Sequence, residues 1–186
     1  DQRRLGDVGV VEVGSGRVLD RADLVIAGEG ELAFRHACEA ILAGPAPPQS
    51  KDHSLPKLDR LTLPYALYDD EDLAHRVLYI ETSRGCPFRC TYCCESFWNR
   101  LYGGGYFRRR SVDSVISELR RMREKYGFRE VMFNDPIFFT DRNWLKDLME
   151  RYRTEISMPF RCFGKVGFLD EEVAEWLKWG GCYAVE

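Results

Sequence analysis

The sequence runs to 186 residues, 45% of them apolar, enough for the core of one domain of ordinary size. Its 27 basic and 30 acidic side chains leave a formal net charge of −3, which argues against a broad phosphate-binding face and so against nucleic acid as a partner. No run of about 18 apolar residues predicts a membrane span, and no signal-peptide pattern opens the sequence as given. Seven cysteines are an odd number, and they cluster rather than pair at even spacings. That pattern predicts metal binding in a reducing, cytoplasmic setting rather than a disulfide framework. The sequence starts without methionine and stops inside the apolar run Cys182–Val185. A piece of a longer protein is the expectation.

In chain order, residues 5–13 alternate weakly around Val8, Val10, Val11 and Val13, a strand pattern that ends at the Gly14–Gly16 turn. Residues 22–27 form a second apolar strand pattern and run into Gly28-Glu-Gly-Glu31. Phe34, Ala37, Cys38, Ile41 and Leu42 then recur at three- and four-residue steps, which predicts a helix ended by Gly44 and Pro45. Strand, turn and helix make one βα unit of an open α/β sheet, where ligands often sit at strand ends. The two glutamates also suit the helix dipole with no ligand at all. His36 and Cys38 are expected as helix residues, not ligands. Residues 45–75, with Pro45, Pro47, Pro48, Pro56 and Pro64, have the composition of a stiffened linker. His53 and His75 are expected at the surface, either being available as a fourth ligand should the metal be zinc.

The pattern from 76 to 82 predicts a strand, and it delivers Glu81-Thr-Ser-Arg-Gly-Cys-Pro-Phe-Arg-Cys-Thr-Tyr-Cys-Cys94. Cys86, Cys90 and Cys93 stand in a C-x3-C-x2-C spacing, with Cys94 next to them. Three thiolates so close in sequence can grip one compact centre, and soft thiolate favours iron–sulfur or zinc. Structural zinc and iron–sulfur clusters normally take four ligands, and no second C-x2-C pair is present. Three local ligands suit a cubane cluster with one iron left open. Cys86, Cys90 and Cys94 form a second register, C-x3-C-x3-C. Gly85 and Pro87 predict a shaped loop.

Downstream, Phe97, Trp98, Tyr102, Tyr106 and Phe107 surround Gly103–Gly105. They suit either the exclusion of water from a reactive centre or plain packing. Arg108–Arg110 suit an anionic group or a solvated basic patch. Three helices are expected after Ser111, Asp141 and Asp170, with strands near 129–133, 159–163 and 182–186. Asp135, in Asn134-Asp-Pro136, suits a turn. Arg161 is expected on a strand, meeting a carboxylate of substrate or cofactor.

The C-x3-C-x2-C loop with an aromatic, Tyr92, just before its last cysteine resembles the signature of radical S-adenosylmethionine enzymes. The stretch Asp23-Leu-Val-Ile-Ala-Gly-Glu-Gly-Glu31 is similar to the end of the cobalamin-binding domain that precedes many cores of that family. The resemblance implies a 4Fe-4S cluster on Cys86, Cys90 and Cys93. Its open iron would chelate S-adenosylmethionine, which one electron cleaves to a 5′-deoxyadenosyl radical. It implies Tyr92 against the adenine and Asp135 near the methionine amino group, where the family often has Gly-Gly-Glu-Pro. An external flavodoxin- or ferredoxin-type electron donor and a small-molecule substrate are also implied. Cobalamin is implied by architecture alone, because the Asp-x-His-x-x-Gly motif that ligates cobalt in some relatives is absent from the sequence. The implied fold is α/β. Residues 1–44 would be the last βα unit of an open cobalamin-binding-like domain, 45–75 a linker, and 76–186 a truncated, partial (β/α) barrel. Methyl transfer and rearrangement are both reactions of such enzymes. A non-catalytic iron–sulfur or zinc module and a tRNA methylthiotransferase-like enzyme are the alternatives.

Overall fold

From Arg108 onward strands alternate with helices, and a helix between two strands of the main sheet returns the chain for parallel pairing. The computed structural model describes residues 26, 28–44, 55–61 and 77–186. The expected strands at 5–13 and 22–27, the Gly14–Gly16 turn, and His53 and His75 of the linker lie outside the described residues, except Ile26. The elements are α1 (Gly30–Ala43), β1 (Val77–Ile80), β2 (Ser83–Arg84), α2 (Glu95–Leu101), β3 (Arg108–Arg109) and α3 (Val112–Tyr126). They continue with β4 (Glu130–Phe133), α4 (Arg142–Glu155), β5 (Phe160–Cys162), α5 (Glu171–Gly180) and β6 (Cys182–Val185). A short 3-10 turn, Leu58–Arg60, lies within the expected linker.

Strands β1, β4, β5 and β6 form one parallel sheet in the order β1-β4-β5-β6, while β2 and β3 make a small antiparallel ribbon. The chain is therefore α/β with a mainly parallel sheet. The described residues fall into two compact units. One holds the residues up to Pro56 together with Pro87–Tyr106; the other holds Lys57–Cys86 and Phe107–Glu186.

In the second unit, the register sets Leu78 beside Val131 and Val131 beside Phe160, and likewise Ile80, Phe133 and Cys162 in line. These side chains share one face of the sheet and join the buried stripes of the helices: Val115, Ile116 and Leu119 of α3, Leu145, Leu148 and Tyr152 of α4, and Val173 and Leu177 of α5. Phe133 stacks on Phe138 at 4.3 Å between ring centroids and meets Phe160 edge-on at 5.2 Å. Fully burying one such ring contributes about 1.5–3 kcal/mol. The opposite face carries Tyr79, Met132 and Arg161 in one row.

The helix starts are fixed by side-chain caps, as the sequence predicts. Ser111 Oγ accepts from Ser114 N–H, Asp141 Oδ1 from Trp144 N–H, and Asp170 Oδ1 from Val173 N–H. Gly127 and Gly181, both left-handed, close α3 and α5.

Two differences from expectation stand out. Helix α1 forms where predicted, but it buries Ala33 and Ala37 and leaves Phe34, Ile41 and Leu42 exposed. The small residues, four apart, mark the buried face, not the large ones. Helix α2 and the β2–β3 ribbon were not expected from the pattern, since seven- and two-residue elements are too short for periodicity to declare itself. Among the described residues no helix is long and apolar enough to cross a membrane.

Candidate functional site

In a parallel α/β sheet, chemistry gathers at the C-terminal ends of the strands. In the second unit that edge is organised by Asp135, two residues past the end of β4 and fully buried. Its Oδ1 accepts from Thr82 N–H (3.1 Å), from Thr82 Oγ1 (2.9 Å) and from the Ser83 hydroxyl; Oδ2 accepts from Thr82 N–H at 3.2 Å. Thr82 and Ser83 follow β1, so this carboxylate ties the ends of two neighbouring strands together. The tie stands three residues before Cys86. Burial pushes the Asp135 carboxyl above the ordinary aspartate value, while the Ser83 and Thr82 hydrogen bonds and the Arg109 charge pull the other way.

Arg109 pairs with Ser83 in the ribbon. Its guanidinium donates to Phe138 O (2.9 Å) and Thr140 Oγ1 (2.5 Å) and lies 4.3 Å from the Trp144 ring centre. Desolvation lowers its pKa, with the charges of Asp135 and Asp141 opposing. Arg110 is buried in an ion pair with buried Glu118, and it also donates to Ser114 Oγ at 2.8 Å and Glu81 O at 3.3 Å. Neither arginine matches the basic patch or the open anion site that Arg108–Arg110 suggest in the sequence. Both brace the loops around the strand ends. Arg161 reaches Glu130 at 3.1 Å and Glu186 at 3.0 Å, so its guanidinium already has carboxylates of this chain as partners.

The first unit holds most of the cysteine loop. Cys90 and Cys93 are half-buried and Cys94 is exposed; Cys86, at the edge of the second unit, is buried. None of the four is in a disulfide. The loop closes with a Cys93 N–H to Cys90 O bond (3.2 Å) and passes into α2 through Ser96 N–H to Cys93 O (3.2 Å). Ser96 Oγ donates to Cys90 O at 2.6 Å, and Asn99 Nδ2 to Phe88 O at 3.4 Å. Helix α2 therefore holds the loop by its carbonyls and leaves its thiols out of these bonds. Tyr92 is 92% exposed, so almost its whole ring is open for a flat ligand to cover. Cys94 stands, exposed, at the cap position of α2.

The aromatic residues after the loop form a stack. Tyr102 lies on Tyr106 at 5.0 Å and 8°, and Tyr106 on Trp98 at 5.9 Å and 25°. The Tyr102 hydroxyl accepts the Glu29 N–H at 2.5 Å. This link between the Gly28–Glu31 turn and the segment after the cysteines was not legible in sequence. The only hint was a tyrosine beside a glycine run.

Among the described residues, no group of three or more His, Cys, Asp or Glu side chains is gathered closely enough to hold a metal ion. The donor set nevertheless fits a thiophilic centre. Its cysteines are near in sequence and in no disulfide, and at Cys90 and Cys93 the backbone carbonyls take the hydrogen bonds from Cys93 N–H and Ser96.

No protein-family model matches the chain. The chain is 29% identical over 185 residues to an uncharacterized methyltransferase of Pyrococcus horikoshii, an alignment that takes in 88% of the chain and 39% of that protein. It is 32% identical over 113 residues to the cytidylyl-2-hydroxyethylphosphonate methyltransferase of Streptomyces wedmorensis, over 59% of the chain and 20% of that protein. It is 28% identical over 172 residues to the bacteriochlorophyllide d C-12(1)-methyltransferase of Chlorobaculum tepidum, over 85% of the chain and 35% of that protein. The chain thus spans two fifths or less of the length of these relatives, all of them named methyltransferases.

Proposed function

We propose that the chain is part of a radical S-adenosylmethionine enzyme that transfers a methyl group to a small molecule, with Cys86, Cys90 and Cys93 holding a 4Fe-4S cluster. The observation that carries this reading is the position of the cysteine loop. It follows the C-terminal end of β1 in a parallel sheet, in a chain similar to several methyltransferases. When bound, the cluster supplies one electron to the sulfonium of S-adenosylmethionine, breaking a carbon–sulfur bond to give methionine and a 5′-deoxyadenosyl radical.

The chain's own residues do the rest. Gathering three thiolates is coupled to binding, because few metal sites exist before the metal arrives. Helix α2 fixes the loop backbone at Cys90 and Cys93 while their sulfur atoms remain available. Tyr92 offers its exposed ring to the adenine. Asp135, tied to Thr82 and Ser83, holds the base of the loop, and its assignment to the methionine amino group requires one of those hydrogen bonds to be shared. The parallel strands belong to a partial (β/α) barrel. Cobalamin is the methyl carrier this reading assigns to the side of α1. A flavodoxin- or ferredoxin-type protein supplies the electron.

The test is product analysis on the reconstituted, reduced, intact protein given S-adenosylmethionine. The reading expects 5′-deoxyadenosine or S-adenosylhomocysteine to accumulate, and to vanish in Cys90→Ala. Neither product above a control without protein would sink it.

A further inference from the structure

We infer that Tyr102 is a positioning residue that couples the Gly28–Glu29 turn to the cysteine loop through helix α2. The inference rests on the proposed function only for what the loop holds; the coupling itself is a property of this unit.

The turn meets Tyr102 in two ways. Glu29 N–H donates to its hydroxyl at 2.5 Å. Gly28, at φ +97°, lets the backbone approach so closely that a Cβ there would run into the same hydroxyl. Tyr102 is itself the residue that closes α2, its N–H bonded to Trp98 O at 3.1 Å. Its ring is clamped by Tyr106, which lies in turn against Trp98 of α2. At the other end of the helix, Ser96 takes Cys90 O and Cys93 O, and nearer Tyr102 Asn99 takes Phe88 O. Seven residues of helix are about 10 Å long and do not bend easily. A shift of the turn therefore reaches the carbonyls of the cysteine loop through one hydroxyl and one short helix. In the proposed reaction, this keeps the element on the side of the methyl carrier in register with the loop that binds the cluster.

Two substitutions delete the same hydrogen bond from opposite ends. Tyr102→Phe keeps the stacked ring and removes the acceptor. Glu29→Pro removes the donor, and proline fits the backbone there, since Glu29 has φ −69°. Hydrogen exchange by mass spectrometry on the intact protein compares peptides covering 28–31, 90–96 and 142–155. Both variants are expected to speed exchange at 28–31 and 90–96 together, by about tenfold for a bond worth about 1.4 kcal/mol, and to leave 142–155 unchanged. In iron-loaded protein both are expected to retain iron and to shift the g values of the reduced cluster. Exchange that rises at 28–31 alone in both variants overturns the coupling. If Tyr102→Phe raises exchange everywhere, Glu29→Pro decides by the same comparison. Protein that takes up no iron counts against the proposed function, while the exchange result still decides the coupling.

Discussion

The Asp135 carboxylate accepts from both the backbone N–H and the hydroxyl of Thr82, and so fastens the end of β4 to the end of β1. A buried acceptor with three donors aimed at it is costly to remove, because each orphaned donor loses about 1–3 kcal/mol. Asp135→Ala is expected to destabilise the protein by on the order of 3 kcal/mol, and Asp135→Asn by less, since the amide keeps one acceptor oxygen. Urea unfolding measures both. Equal stability of wild type and Asp135→Ala would show that the strand ends are held by something else.

Asp135 also sets a pH dependence. Its folded pKa is raised above the ordinary aspartate value, with burial as the leading cause. The protonated form is thus favoured by folding. Its contribution is complete below the unfolded pKa and is lost as pH rises through the raised one. Urea midpoints taken from roughly pH 4 to 8, spanning upward from the ordinary aspartate value, should fall more steeply in wild type than in Asp135→Asn. Parallel curves would place the carboxyl at its ordinary value.

The cysteine register makes a prediction of its own. Cys86→Ala, Cys90→Ala and Cys93→Ala should each abolish cluster binding, while Cys94→Ala, altering an exposed thiol, should retain it. Iron and sulfide per chain after anaerobic reconstitution are the readout. Loss in Cys94→Ala with retention in Cys93→Ala would establish the C-x3-C-x3-C register instead.

The Arg110–Glu118 pair is buried on both sides. Glu118→Ala strands a cation in the interior and is expected to cost about 3–5 kcal/mol. Replacing both partners with apolar residues of similar size, Arg110→Met with Glu118→Leu, should recover much of that loss. Thermal unfolding of the wild type and these two variants compares them directly.

Much of the second unit was legible in sequence because its signals are local and repeated. Ser111, Asp141 and Asp170 announce helix starts, and Leu145, Leu148, Met149 and Tyr152 recur at helical spacing and are buried. The candidate site was legible only where its residues are contiguous, in the cysteine loop. The grip of Asp135 on Thr82 and Ser83 joins residues more than 50 positions apart, and no local pattern encodes such a pairing. The same holds for Glu29 and Tyr102, 73 positions apart. Arg109 and Arg110 look like a surface patch as a run of charges. In the fold, Trp144 and Glu118 enclose them.

The proposed function requires a cluster with an iron open to S-adenosylmethionine. Electron paramagnetic resonance of the reconstituted, reduced protein, recorded with and without S-adenosylmethionine beside iron and zinc analysis, tests it most directly. About four irons per chain are expected, as a single cubane requires, with a 4Fe-4S signal whose g values move when S-adenosylmethionine is added. Zinc without iron, or a cluster signal indifferent to S-adenosylmethionine, would contradict it.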